Sequence, residues 1–368
     1  MNLVYITDSK VNPLAGGIAR ITYRIAEALR TKFGYHVYFY YGQEIFVDFI
    51  RKIGNCILIV QSPCKLARVV FSSKIAMPKV HIVTVFHGTP GFELVPLKVQ
   101  VILYRLIHKI DVHWTFKQLF LQFWMALLPK SCFYRLLRSK YALPYGNCEK
   151  IVVLSPRIID QYQLIAPGYR EAFVSIPNAL SFDLLETPIT KAKEVLVVAR
   201  LDDWHKRISE ILKIWEVVQQ DRQYHDWILR IVGDGIDKPY YEEYVRKHTI
   251  TNIAFEGLQN PLPYYQKASI FLMTSACEGL PMTILEALQC GCIPIIYDSF
   301  ASAKDIVCND ENGFLVTPND RLTFVKRLKA LMEDADLRKH MASNCIASTN
   351  RFSLEKIATE WNELIKSL

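Results

Sequence analysis

The amino-acid sequence predicts an α/β protein made of two doubly wound domains. Three observations carry this: the chain has 368 residues, two to three times the length of an ordinary domain; short runs of Val, Ile and Leu alternate with helix-period segments along it; and the charge changes sign midway. Residues 1–180 hold 22 Lys+Arg against 9 Asp+Glu, a net of +13, whereas residues 181–368 net −5. A composition 51% hydrophobic and 22% charged excludes disorder, a collagen-like fibre and a small disulfide scaffold.

The first strand is expected over residues 3–7, followed by a loop over 8–17 and a helix from Ile18, with Ile21, Ile25, Ala28 and Leu29 on one face. Strands follow over 35–41, 57–61, 81–87 and 151–154. Their brevity and β-branched content suit a parallel sheet covered on both faces. The junction falls in 177–193, where Pro177 and Pro188 interrupt a stretch without apolar period. The alternation then restarts: strand 195–199, helix 209–218, strand 229–233, helix 240–247, strands 253–256 and 270–274, helix 281–289, strands 293–297 and 313–316. Two helical stretches, 320–332 and 353–365, close the chain. The domains are therefore placed at 1–180 and 181–350, with 351–368 as a terminal helix.

Nine cysteines, an odd number without a C-x-x-C pair, argue against a zinc site and for reduced thiols in a cytosolic setting. The amino end, MNLVYITDSK, meets Asp8 rather than a small-residue cleavage site, so no secretory leader is expected. Uncharged runs are about a dozen residues long, short of the ~20 that span a bilayer.

In doubly wound domains, ligands bind beyond the carboxyl ends of the strands, so the residues that follow strands are the candidates. Gly16 and Gly17 close the first such loop and serve either a tight turn or an anion at the helix start. No G-x-G-x-x-G fingerprint occurs, which counts against a dinucleotide. His87, with Gly88, ends a strand in FHGTP. Arg200 and Lys206, in ARLDDWHKR, offer a guanidinium fork and a flexible ammonium suited to a diphosphate, unless Asp202 and Asp203 simply pair with them. Gly233, in GDG, admits a ligand or makes a turn. In SACEGLPMTILEALQCG, Glu278 precedes a helix opened by Pro281 and Glu286 lies in its second turn, both acceptors suited to hydroxyls.

This last segment resembles the E-x7-E signature of family 4 retaining, nucleotide-sugar-dependent glycosyltransferases (glycosyl transferases group 1), of the bacterial surface-polysaccharide type. Gly16-Gly17, His87-Gly88, IPN ending at Asn178, Arg200 with Lys206, GDG and Glu256-Gly257 follow in the family's order. The Arg-to-Lys spacing of six departs by one from the common five, with Trp204-His205 in the interval. The resemblance implies the GT-B fold, two Rossmann-like domains facing across a cleft, the first on the acceptor side and the second binding a nucleotide sugar, with the terminal helix returning to the first domain. It implies that Arg200 and Lys206 hold the donor diphosphate, that Glu286 holds the ribose, and that Glu278 with Gly279 and Leu280 meets the sugar. Gly17 would touch phosphate or sugar, Gly16 and Gly233 would line the donor, and His87 would sit near the reacting centre. Neither a metal nor another cofactor is expected, Arg200 and Lys206 standing in for a cation. Rivals are a nucleotide-sugar epimerase or hydrolase of the same fold and a non-catalytic nucleotide-sugar-binding subunit.

Residues 96–140 net +7, with Lys98, Arg105, Lys109, Lys117, Lys130, Arg135, Arg138 and Lys140 against Asp111 alone. Aromatics and aliphatics recur among them at helical spacing. The expectation is a pair of first-domain helices that attach peripherally to an anionic, cytoplasmic membrane surface and serve a glycan or lipid-linked glycan acceptor. Nucleic acid is not expected, because no recognition module accompanies the charge.

Overall fold

The computed structural model describes all residues except 13–16, 43, 63–64, 74–79, 143, 145 and 183–189. It divides into two compact units, the first comprising Met1–Gly91, Ser131–Ser181 and Arg351–Leu368, the second Phe92–Lys130 and Phe182–Asn350.

The first unit is built on six parallel strands, β1 (Asn2–Ile6), β2 (His36–Tyr40), β3 (Cys56–Ser62), β4 (Val80–Phe86), β5 (Lys150–Val153) and β6 (Phe173–Ser175), in the order β2-β1-β3-β4-β5-β6. Helices cover both faces, so Leu3, Val4, Leu58, Ile59, Val83 and Val152 are all sealed from solvent. That double burial is why these strands read as unbroken apolar runs. β6 has three residues, too few for a pattern, and the sequence did not announce it. The terminal helix Leu354–Lys366 packs on the helix Gly17–Phe33. Tyr35 donates to Asn362 Oδ1 at 2.9 Å and Trp361 is buried.

The second unit repeats the architecture with β7 (Ala192–Val198), β8 (Ile228–Val232), β9 (Ile253–Gly257), β10 (Ala268–Met273), β11 (Ile293–Tyr297) and β12 (Phe314–Val316), ordered β12-β11-β10-β7-β8-β9 and parallel throughout. The helix Ala335–Ser348 was not foreseen, so three helices and not two follow β12. Its buried residues are only Met341 and Cys345, which leaves no apolar stripe to read.

The basic segment 96–140, expected within the first domain, is divided. Helices Val99–Ile107 and Val112–Leu127 pack in the second unit, and Lys130–Tyr141 falls almost wholly in the first. Charge pairing explains the placement of the first two. Arg105, central to the apolar face of its helix, is 2% exposed and forms a bidentate pair with the fully buried Asp237, at 2.7 and 2.6 Å. Lys98 pairs with the buried Glu210 at 3.0 Å. Two of the eight cations expected to meet an anionic membrane surface are thus committed to carboxylates after residue 200.

Candidate functional site

In the second sheet β7 and β10 are neighbours, yet the chain leaves them in opposite directions, β7 toward β8 and β10 toward β11. Such a reversal opens a crevice at the carboxyl ends of the two strands. Both candidate loops lie there. The loop after β7 carries Arg200 and Lys206, and the loop after β10 carries Glu278.

The two loops are tied together by backbone. Ala276 N–H donates to His205 O at 2.6 Å, and Thr274 Oγ1 donates to Arg207 O at 2.9 Å. Across this seam Lys206 Nζ reaches Glu278 Oε1 at 2.5 Å, both side chains mostly buried. Two residues chosen 72 positions apart therefore form one charge-assisted pair. Glu278 is followed by Gly279 and Leu280, whose N–H groups donate to no protein acceptor among the described residues. Ser302 fixes this turn by donating to Gly279 O.

Arg200 projects outward, its side chain 65% exposed, with Nη2 at 2.9 Å from Asp202 Oδ2. Burial acts to raise the Asp202 carboxyl, but the hydrogen bond to His205, the charge of Arg200 and the N–H of Trp204 outweigh it and hold it down at about 2. Asp203 does not pair with either cation: it is buried and accepts from Ser209 N–H at 2.9 Å, Ser209 Oγ at 2.8 Å and Tyr241 at 3.1 Å. It shapes the loop.

Gly233 has φ +138, and a Cβ there would lie 1.9 Å from Ala199 O. Its N–H already donates to Gly257 O at 2.8 Å. Gly235 stands in the same relation to Leu201 O, at 2.4 Å. The GDG glycines let the end of β8 lie against the backbone that presents Arg200, a packing need that suffices to explain them.

Glu286 lies on the buried face of the helix Met282–Gln289, 4% exposed. Its carboxylate stands beside the hydroxyl of Tyr265, which burial and that charge push well above the ordinary tyrosine range. Glu286 is therefore enclosed, while Lys206 and Glu278 line the crevice.

Three residues lie in the first unit or outside the description. Gly17 opens the helix Gly17–Phe33, and Gly16 is outside the described residues. His87 follows β4, with Nε2 against Gln61 Oε1 and Nδ1 buried without a partner among the described residues. Burial pulls His87 down to about 4, so the ring is neutral at pH 7. Tyr5, Gln61, His87 and Asn178 share a small cavity of about 20 Å³.

Sequence reasoning missed the support behind the β7 loop. Asp237, already paired with Arg105, also accepts from Asp203 N–H at 2.8 Å. Trp204 Nε1 donates to Val95 O at 2.5 Å, and Trp204 packs against Trp114 and His205. One signal was present in the sequence: an arginine at the centre of the apolar face of VQVILYRLI, which needs a buried acid. Arg207 was also missed. It adopts φ +49 next to Lys206, and its Nε is buried without a partner among the described residues.

Among the described residues no cluster of His, Cys, Asp and Glu is arranged to hold a metal. The sequence has one D-x-D triplet, Asp334-Ala335-Asp336, where Asp334 caps a helix by accepting from Leu337 N–H at 2.8 Å.

Residues 186–347 match the model of the Glycosyl transferases group 1 family. The chain is 29% identical over 242 residues to an uncharacterized glycosyltransferase of Haemophilus influenzae, covering 63% of this chain and 65% of that protein. It is 26% identical over 188 residues to the GalNAc-alpha-(1->4)-GalNAc-alpha-(1->3)-diNAcBac-PP-undecaprenol alpha-1,4-N-acetyl-D-galactosaminyltransferase of Campylobacter jejuni, covering 51% of each. The match thus spans less than two thirds of either relative. Among solved structures, Anabaena HepE in complex with UDP and glucose superposes with a TM-score of 0.71 at 16% identity, over 100% of both chains. The fold is the α/β, two-domain GT-B fold.

Proposed function

We propose that this protein is a retaining glycosyltransferase that moves a sugar from a nucleoside diphosphate sugar to a hydroxyl of a glycan or lipid-linked glycan. The observation that carries this reading is the convergence of Lys206, Glu278 and the unoccupied amides of Gly279 and Leu280 in the crevice between β7 and β10, with Arg200 at its mouth. A diphosphate takes the two cations, its negative charge displacing Lys206 from Glu278 and freeing the carboxylate to accept from sugar hydroxyls. Arg200 and Lys206 then stabilise the charge that develops on the leaving phosphate, where such fixed donors contribute most to rate. No side chain is assigned as nucleophile. With two cations at the diphosphate, the reaction proceeds without a metal. Glu286 holds the ribose, for which Tyr265 must yield its place beside the carboxylate.

The acceptor reading rests on the helix Val112–Leu127. Its inner face is polar, with Thr115 and Gln118 buried, while Phe116, Phe120, Phe123 and Leu127 are 57 to 66% exposed. A helix that turns its apolar stripe outward, near exposed Lys109 and Lys117, suits a membrane interface. No helix among the described residues is long and apolar enough to cross a membrane. The C. jejuni relative is named for an undecaprenol-linked acceptor. We therefore place the protein on the cytoplasmic face of the inner membrane, acting in surface polysaccharide or lipopolysaccharide assembly.

A thermal-shift panel of UDP-, GDP-, ADP- and dTDP-sugars tests donor binding, since a ligand at 100 times its Kd stabilises by about 2.7 kcal/mol. Incubation of the stabilising donor with and without a lipid-linked glycan follows, the new anomeric configuration being read by NMR. Retention with slow turnover of donor alone supports the reading. Rapid turnover without acceptor identifies a hydrolase or epimerase, and binding without turnover a non-catalytic subunit.

A further inference from the structure

At the amino ends of β7, β10 and β11, the edge of the second sheet opposite the Arg200 and Glu278 loops, lies a cavity of about 600 Å³. That is the size of a small-molecule site. The helix Ala335–Ser348 forms one wall, and Gln289 to Gly291, at the end of the preceding site helix, form another. Four cations line the cavity, Lys191, Lys193, Arg338 and Lys339, and among the described residues no carboxylate does. Lys193 is neutralised by Asp226. The other three make no ion pair among the described residues. Lys191 donates to the backbone oxygen of Tyr265 at 2.9 Å. Arg338 uses Nη1 on the carbonyls of Leu331 and Met332, at 2.6 and 3.0 Å, and lies over the Trp227 ring; among the described residues its Nε and Nη2 have no protein acceptor. Its acidic neighbour, Asp334, is occupied with capping the helix. The Lys339 ammonium has no partner among the described residues. Burial pulls both Lys191 and Arg338 below their ordinary ranges, the mark of cations short of counter-charge. Between the cations the lining is apolar, with Ile293, Ile346, Ala335 and Ala342.

Clustered cations without carboxylates call for an anion, and an apolar lining calls for an uncharged body attached to it. We propose that this cavity is a binding site for an amphiphilic anion, whose phosphate or carboxylate head lies among Lys191, Arg338 and Lys339 and whose alkyl or aryl body lies on Ile293, Ala342 and Ile346. The site is distinct from the crevice at the other edge of the sheet and does not depend on the activity proposed above.

Isothermal titration of the full chain with octyl phosphate, inorganic phosphate and octyl glucoside tests it. One octyl phosphate should bind per chain, at least about tenfold more tightly than inorganic phosphate, with no heat from octyl glucoside. Lys191→Met with Lys339→Met should weaken binding about tenfold or more, and Ser343→Trp, at an exposed position of the lining, should block it without disturbing the fold. Arg200→Ala should leave it unchanged. Failure of the wild type to bind, equal binding by Ser343→Trp, equal affinity for octyl glucoside, or loss of binding in Arg200→Ala would each overturn the proposal, the last by moving the ligand to the other crevice.

Discussion

At the scale of single residues, Lys206 and Glu278 hold one another, and under the proposed function a bound diphosphate would separate them. Each of Lys206→Met and Glu278→Gln should therefore lower kcat/KM, and the double mutant should lose less than the sum, with a coupling of about 1 to 2 kcal/mol in a double-mutant cycle. Arg200 is exposed and, among the described residues, paired with Asp202 alone, so Arg200→Ala should change folding stability by no more than about 0.5 kcal/mol. It should nevertheless cost about 1.5 to 3 kcal/mol in kcat/KM, the worth of a charge-assisted contact to the diphosphate. Denaturant titration and steady-state kinetics on one preparation separate the two. His87 makes a pH prediction. Its folded value, about 4, lies below the 6.5 of an unfolded histidine, so the unfolded chain binds the extra proton first as pH falls. Stability contributed by the neutral ring is complete above pH 6.5, declines toward pH 4 and is flat below, by at most about 3 kcal/mol. His87→Gln should flatten that part of the stability profile, and an unchanged profile would refute the assignment.

At the scale of elements, the pair of helices between Val99 and Leu127 has two faces with opposite consequences. The inner face is fixed by Arg105 and Asp237, an ion pair out of water that also anchors the loop of Arg200 through Asp203. Removing one charge strands the other, so Arg105→Met should destabilise the second unit by about 3 to 5 kcal/mol, and adding Asp237→Asn should restore part of that. Chemical denaturation of the three variants measures both changes. The outer face carries Phe120, Phe123 and Leu127, whose exposure leaves little to lose on substitution. Changing all three to Ser should alter the melting temperature slightly and abolish co-sedimentation with anionic vesicles. Binding carried instead by Arg135 and Arg138, on the next helix, would survive that change and fall with salt.

At the scale of the whole molecule, the chain passes between units more than once: residues 92–130 leave the first for the second, and 351–368 return. The return is held by Trp361, 4% exposed, and by Asn362 on Tyr35. Trp361→Ala should cost about 3 to 5 kcal/mol, with hydrogen-exchange protection lost in Gly17–Phe33 and retained in β7 to β12. The sequence by itself determined the alternation of strands and helices, since a strand buried on both faces must be a run of Val, Ile and Leu. It also determined that Arg200, Lys206 and Glu278 end up in loops beyond strand ends, because the period changes just before each. Tertiary structure alone decided which charges meet. Lys206 and Glu278 are 72 positions apart and Arg105 and Asp237 are 132, and nothing local to any of them records the approach. The same holds for Gly233, whose need for glycine is set by Ala199 just past the end of β7, and for the segment 92–130, which lies in the second unit because that is where its buried arginine finds a carboxylate. Burial leaves a periodic trace along the chain; the identity of a partner across the fold leaves none.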